Sequence, residues 1–333
     1  MAKFLDNWVP ALGLAALICV GCKQSNPKTI AEDIADFSQM NFAEVKAAAD
    51  KGSPVAQFEL GERFYYGKGI LKDSTEAVEW WQKAAAQKFP PAEYELGVAY
   101  GRGDGVPKDA EQGIKWCRMA ADAGLPVAQE FIGALYALPQ SSLKQDYVQA
   151  FKWLKASADQ GYPHAEYLLA LCYRDGKGTE TNLTESIFWL QRAASNGVVN
   201  AQVRLGRYYS DKALRQINSN SPPSYLRTNS NFLLCVGWFE KAANQGDTGG
   251  QIFFGTAYAT GCGIDKNPVE AYKWLTLASA KDSNSITTLI NDWKTDNVII
   301  FTSAQIAAGK QRAEEFSKTN QITQISVQEI PGL

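Results

Sequence analysis

The stretch "AEYELGVAYGRGDGVPKDAEQGIKWCRMAADAG", Ala92 to Gly124, spells out two amphipathic helices and the turn between them. Ala92, Leu96 and Tyr100 stand four residues apart and so share one helical face. Gly103 and Gly105 supply a tight turn with backbone angles that few other residues adopt. Asp109 then reads as a helix N-cap, and Gln112, three residues on, completes a capping-box signature. Trp116 and the small pair Ala120-Ala121 mark the second helix, which Gly124 closes at its expected C-cap.

The same pattern recurs along the chain. The alanine slot is filled by Ala56, Ala92, Ala128, Ala165 and Ala201, at steps of 36, 36, 37 and 36 residues. Four residues on come Leu60-Gly61, Leu96-Gly97, Ile132-Gly133, Leu169-Ala170 and Leu205-Gly206, and then Phe64, Tyr100, Tyr136, Tyr173 and Tyr209. A sixth copy carries Gly250, Phe254-Gly255 and Tyr258. One tryptophan slot is used throughout: Trp80, Trp116, Trp153, Trp189, Trp238 and Trp274. Gly-x-Gly turns recur at Gly67/Gly69, Gly176/Gly178 and Gly261/Gly263, and N-cap signatures at Asp73/Glu76, Asn182/Glu185 and Asn267/Glu270. Pro54, Pro90, Pro126 and Pro163 open the first helices, where a missing N–H costs least. Alternating helices without a β-rich run predict an all-α chain of six helix–turn–helix units. No strand precedes the glycine turns and no Lys-Ser/Thr follows them, which excludes a phosphate loop.

These units resemble Sel1-like repeats, relatives of the tetratricopeptide repeat, over about residues 54–283. The resemblance implies an α/α superhelical solenoid that binds a protein or peptide on its concave side. Three copies depart from the pattern. Repeat three replaces Gly-x-Gly with "ALPQSS" and should turn differently; repeat five carries an insertion at about 213–230, expected as a flexible surface loop; repeat one has Lys88 in place of its closing glycine. Residues 22–53 read as a short linker and N-terminal capping helices, since Phe42 to Gly52 matches only the second half of a unit. Residues 284–333 read as a capping helix and tail, with Thr302/Gln305 as a capping box and Ile306, Gly309, Ala313 and Phe316 along one face.

Residues 1–21 read as a signal segment: Lys3, an apolar run from Trp8 to Val20, then Gly21. That run is too short for a membrane span of ~20 residues. Gly21-Cys22 resembles the lipobox of bacterial lipoproteins, which implies lipidation of Cys22 and a lipid-anchored envelope location. Lys23 in place of aspartate implies the outer membrane, if the cell is Gram-negative. A signal cleaved elsewhere and an uncleaved anchor are the alternatives. Cys117, Cys172, Cys235 and Cys262 form no C-x-x-C motif and read as small buried thiols; a Cys235–Cys262 bridge would be chemically allowed in an oxidising compartment.

The 333 residues carry a net charge of −2, which argues against a general nucleic-acid binder. The single histidine, His164, excludes a multi-histidine metal site, and no cofactor is called for. His164 itself reads as a surface residue at a helix start, lacking a partner in its motif. Ser141-x-x-Lys144 is formally the S-x-x-K of penicillin-binding enzymes, but the accompanying S-D-N and K-T-G elements are missing, so no catalytic residue is assigned. The tryptophan slot is expected to pack between repeats, leaving Trp81 and Trp293 freer to be exposed.

What remains for function is surface. A second stripe on each first helix, at offsets two, six and nine or ten from the alanine, collects Phe58, Glu62, Tyr65, Tyr66, Tyr94, Arg102, Tyr167, Arg174 and Arg207. In the resembled family this stripe lines the concave groove, and aromatic and arginine residues suit protein recognition. The aromatics Phe58, Tyr94 and Tyr167 have packing against the neighbouring repeat as an equal alternative. The expected role is a non-catalytic interaction scaffold. The alternatives are a cell-wall role, by penicillin-type hydrolysis or peptidoglycan binding, and a secreted factor that binds a host protein.

Overall fold

The computed structural model describes residues 34–139, 141, 143–218, 224–280, 286–291 and 300–319. Signal residues 1–21, Cys22 and Trp293 lie outside them. The described residues are helical, without strands. The elements are α1 Phe42–Asp50, α2 Pro54–Tyr66, α3 Ser74–Ala85, α4 Pro90–Arg102, α5 Ala110–Asp122, α6 Pro126–Ala137, α7 Tyr147–Asp159, α8 Pro163–Asp175, α9 Leu183–Ser195, α10 Val199–Leu214, α11 Tyr225–Thr228, α12 Ser230–Asn244, α13 Thr248–Thr260, α14 Pro268–Ser279 and α15 Ser303–Thr319. Two compact units divide within α9, one up to Trp189 and one from Leu190. Among the described residues no helix is long and apolar enough to cross a membrane.

Local signals start and stop the helices as the sequence reading requires. Asp73, Asp109, Asp146 and Asn267 each accept two backbone N–H groups at the head of a second helix, and Pro54, Pro90, Pro126 and Pro163 occupy first-turn positions. Gly67, Gly103, Gly176 and Gly261 end first helices in the left-handed conformation. Lys88 adopts φ +58° where repeats two to five have Gly124, Gly161, Gly197 and Gly246. Reciprocal capping boxes close at Asn41/Glu44 and Thr302/Gln305. At Asp73, Asp109 and Asn267 only the N-cap half of the box forms, and at Asn267 Glu270 turns instead to Arg312 of α15 and Lys273.

In the first unit α3 packs between α2 and α4, α5 between α4 and α6, and α7 between α6 and α8. The residue that fits the small notch on each first helix is the one after the tryptophan. Trp81 is 1% exposed, a Cβ on Gly61 would stand 2.5 Å from its ring, and Cys117 and Leu154 fill the same place over Gly97 and Gly133. Trp81, expected to be free, is therefore core. Four-residue spacing from Ala77 to Trp81 to Ala85 keeps it on the face that meets α2, whereas Trp116 and Trp153 are only half-buried. Trp80 packs towards the amino terminus, in a cluster with Val45, Ala49, Ala56 and Leu60.

Glutamine relays lock successive repeats. Gln57 donates to the Ala49 carbonyl at 3.1 Å and accepts from Gln87 at 2.8 Å. Gln129 does the same with Ala121 and Gln160, at 3.3 and 2.8 Å. The turn of repeat three differs, as expected: Leu138 is extended, and Ser141 Oγ lies 2.6 Å from the Leu135 carbonyl and 2.9 Å from that of Leu143.

In the second unit α12 packs on α10 and α13, and α14 on α13 and α15. A relay recurs between Gln245, Gln202 and the Ala194 carbonyl. The insertion is not wholly the expected loose loop. Residues 225–228 form α11, Tyr225 and Leu226 pack against the α12–α13 core, and Gln216 Oε1 accepts from Asn229 and Asn231 at 3.2 and 3.0 Å. Burying two large side chains outweighs the entropy of an open loop. On α15, Phe316 meets Trp274 edge-on at 5.1 Å and Gly309 lies against Tyr272. Cys117, Cys172, Cys235 and Cys262 are free thiols, with Cys262 packed on the cluster that contains Cys235.

Candidate functional site

The first helices of the first unit carry a row of buried polar side chains. Glu59 and Glu62 stand on α2, and the Arg63 guanidinium pairs with Glu59 at 2.9 Å while also donating to the Phe37 and Met40 carbonyls. Glu62 is 3% exposed, and its Oε1 meets no hydrogen-bond donor. Burial, and then the charge of Glu95 on α4, holds the Glu62 carboxyl well above the usual range, with Lys68 opposing. Burial also lifts the Glu95 carboxyl to about 7, with Arg102 opposing. Tyr66 stands beside both: burial and the Glu62 and Glu95 charges push its phenol up, against Arg102.

Beside Tyr66, the Tyr65 hydroxyl donates to Asp104 at 2.9 Å and its ring lies 5.4 Å from that of Trp81. Next to Glu95 on α4, burial pushes the Tyr94 phenol well above its usual range, with Cys117, Glu95, Tyr162 and Glu130 adding to it. Glu130 of α6 is buried and hydrogen-bonded to His164 Nδ1 at the start of α8. Three successive repeats thus present a carboxyl to this row.

Four of the predicted binding residues, Phe58, Glu62, Tyr94 and Tyr167, are buried instead of lining an open surface. The reason is packing. The Phe58 ring lies 5.6 Å from Phe89 in the cluster that holds Trp81 and Leu96, so the offset-two position faces the adjoining repeat. The other five keep access, Tyr65 being half-buried. Tyr66 is 47% exposed, Arg102 is half-buried, and Arg174 is exposed in a fork with Asp175 at 2.6 and 2.9 Å. Arg207, in the second unit, is exposed with its guanidinium 5.3 Å from the Phe253 ring.

Sequence reasoning passed over Glu95 and Glu130. A signal was present for Glu130, a carboxylate in the offset-two slot that holds Phe58, Tyr94 and Tyr167 elsewhere. It also left His164 without a partner, although Glu130 lies one repeat away.

The pair couples stability to pH. Burial lowers the His164 pKa, but the hydrogen bond to Glu130 and its charge raise it more, for a net upward shift; burial raises that of Glu130, with His164 opposing. Both groups hold protons more tightly when folded, so their stabilisation is complete below the unfolded values of ~6.5 and ~4.3 and is lost as pH rises through the folded ones. His164→Ala should lower stability by about 1–3 kcal/mol at pH 6. Urea titrations at pH 6 and 8 should show that deficit narrowing at the higher pH; a constant deficit would mean that His164 acts by packing alone.

The Sel1 repeat family model matches residues 54–89, 90–125, 126–162, 163–198, 227–247 and 250–283, well over half of the chain. The chain belongs to the Sel1 repeat family. Among solved structures, this Sel1 repeat chain is similar to c5321, a protective antigen of uropathogenic Escherichia coli displaying an SLR fold: identity is 26%, TM-score 0.67, and coverage 85% of this chain and 58% of that one. It therefore spans just over half the length of that antigen. It is also similar to a Sel1 repeat protein from Oxalobacter formigenes, with 30% identity, TM-score 0.58, and 68% of this chain and 87% of that one covered. No curated protein matches by sequence. Sel1 repeat proteins generally serve as protein–protein interaction scaffolds and are typically non-catalytic.

Proposed function

We propose that this Sel1 repeat chain is a non-catalytic adaptor of a bacterial cell envelope, anchored by a lipid on Cys22, that binds a protein or peptide on the first-helix face of its first unit. The observation that carries this reading is the exposed Tyr66 beside Arg102, at the edge of the buried carboxyl row. An aromatic and an arginine next to a desolvated polar patch are the residue types that concentrate binding energy. The anchor rests on the Gly21-Cys22 motif and the short apolar run before it. The hydrolase alternative loses its hook, because the Ser141 hydroxyl is taken up in closing the end of α6.

Affinity capture from detergent-solubilised membranes tests the reading. Tyr66→Ala/Arg102→Ala should reduce recovery of the partner at least tenfold while the helical content stays unchanged. Unaltered recovery counts against the face. Cys22→Ala should move the protein to the soluble fraction without altering what it captures; a wild-type protein already soluble would favour the secreted-factor reading instead.

A further inference from the structure

We infer that Glu62, Glu95 and Tyr66 form a receptor for a cationic side chain, lysine or arginine, presented by the partner. The inference rests on the proposed binding face and names what that face reads.

Three observations point to a missing cation. The fold pairs one oxygen of Glu59 with Arg63 and Glu130 with His164, yet leaves Glu62 Oε1 without a donor at 3% residue exposure, as it does Glu59 Oε2 and Glu93 Oε2. A buried acceptor in that state costs free energy that a donor brought from outside would recover. After burial, the largest influence on Glu62 is a second carboxyl, Glu95, which the packing of α2 and α4 holds near it. Burial raises the proton affinity of both carboxyls, the Glu95 charge adds to it at Glu62, and Lys68 and Arg102 offset it only in part. Tyr66 adds an accessible aromatic ring beside both carboxyls, and Lys68 Nζ already hovers 5.0 Å from that ring's centre. The chain's own lysine therefore stands where a partner's ammonium or guanidinium would be drawn, over a π face next to paired carboxylates. Lys68 is exposed and on the loop that follows α2, so it is displaceable at small cost.

The test titrates the full chain with the blocked peptide acetyl-Gly-Lys-Gly-amide, followed by amide chemical shifts, with the Nε-acetyllysine version as control. The lysine peptide should bind and shift Tyr66 and its neighbours, and the acetylated one should not. Glu62→Gln, close in size and shape, should weaken binding roughly tenfold or more, and Lys68→Ala should tighten it by removing the competitor. Thermal melts confirm that each variant is folded. Equal binding of both peptides, or an unchanged affinity in Glu62→Gln and in Glu95→Gln, overturns the inference. If partner capture is lost in Tyr66→Ala/Arg102→Ala but kept in Glu62→Gln, the face stands as the interface and the cation reading falls.

Discussion

Gly178→Ala should destabilise the first unit by about 2–5 kcal/mol, the sum expected for forcing alanine into left-handed backbone and overpacking a rigid contact. Gly178 has φ +75°, and a Cβ there would stand 1.9 Å from the Tyr147 carbonyl oxygen and 2.8 Å from Phe151 Cβ. Both belong to the first two turns of α7, the second helix of the preceding repeat. Backbone cannot rotate away as a side-chain tip would. Gly105 makes the same approach to the Ser74 carbonyl on α3, at 2.1 Å. Gly69 is the control within the same molecule: it has φ +73° but nothing within 4 Å, since no complete repeat precedes it. Gly69→Ala should therefore cost only the conformational term, ~1–2 kcal/mol. Urea unfolding followed by circular dichroism separates the two. Equal losses would mean that the second turn glycine serves backbone angle alone and not the seating of one repeat on another.

Trp81→Ala should cost about 3–5 kcal/mol, the usual penalty for emptying a large buried aromatic site. Trp81 lies in the cluster of Phe58, Ala77, Phe89 and Leu96, over the notch made by Gly61. The converse substitution, Gly61→Ala, pushes a methyl to 2.5 Å from the indole and should cost a further ~1–3 kcal/mol by overpacking. Combined, the two should be far from additive, because the new methyl enters the space the indole vacated. A double-mutant cycle on thermal stability should return a coupling of at least ~1 kcal/mol, with the second substitution nearly neutral in the background of the first. Additive losses would show that residue 61 and the indole do not share a contact. The same cycle at Trp116, half-buried and preceding Cys117, should show little coupling with Gly97, because Cys117 occupies that notch.

Neither effect is visible in one repeat read alone. The recurrence of Gly-x-Gly accounts for a turn, but the collision with Ser74 or Tyr147 involves residues about thirty positions earlier in sequence. The tryptophan slot is the most conspicuous feature of the pattern, while the residue after it varies among Trp81, Cys117, Leu154, Leu190, Phe239 and Leu275. All six of those are buried, so a slot with no fixed identity fills the notch, while Trp80, Trp189 and Trp274 of the tryptophan slot are buried as expected. The candidate site divides in the same way. Tyr66 and Arg102 were legible as an accessible stripe because i, i+4 spacing is local geometry. Burial of Phe58, Tyr94 and Tyr167 was not, because it depends on how closely the adjoining repeat approaches.

The sequence by itself determined the class of fold, the six units, and where most helices begin and end. Each of these depends on interactions within four residues: caps, first-turn prolines, left-handed glycines and one apolar face per helix. Tertiary structure decided what the units do to one another. It paired Glu130 with His164, joined Gln57 to Gln87 and Ala49, redirected Glu270 to Arg312, and set Glu62 beside Glu95 without a donor for Glu62 Oε1. The physical reason is range. Caps and turns are settled by neighbours in sequence, whereas the charge and burial of a carboxyl are settled by whichever helix is packed against it.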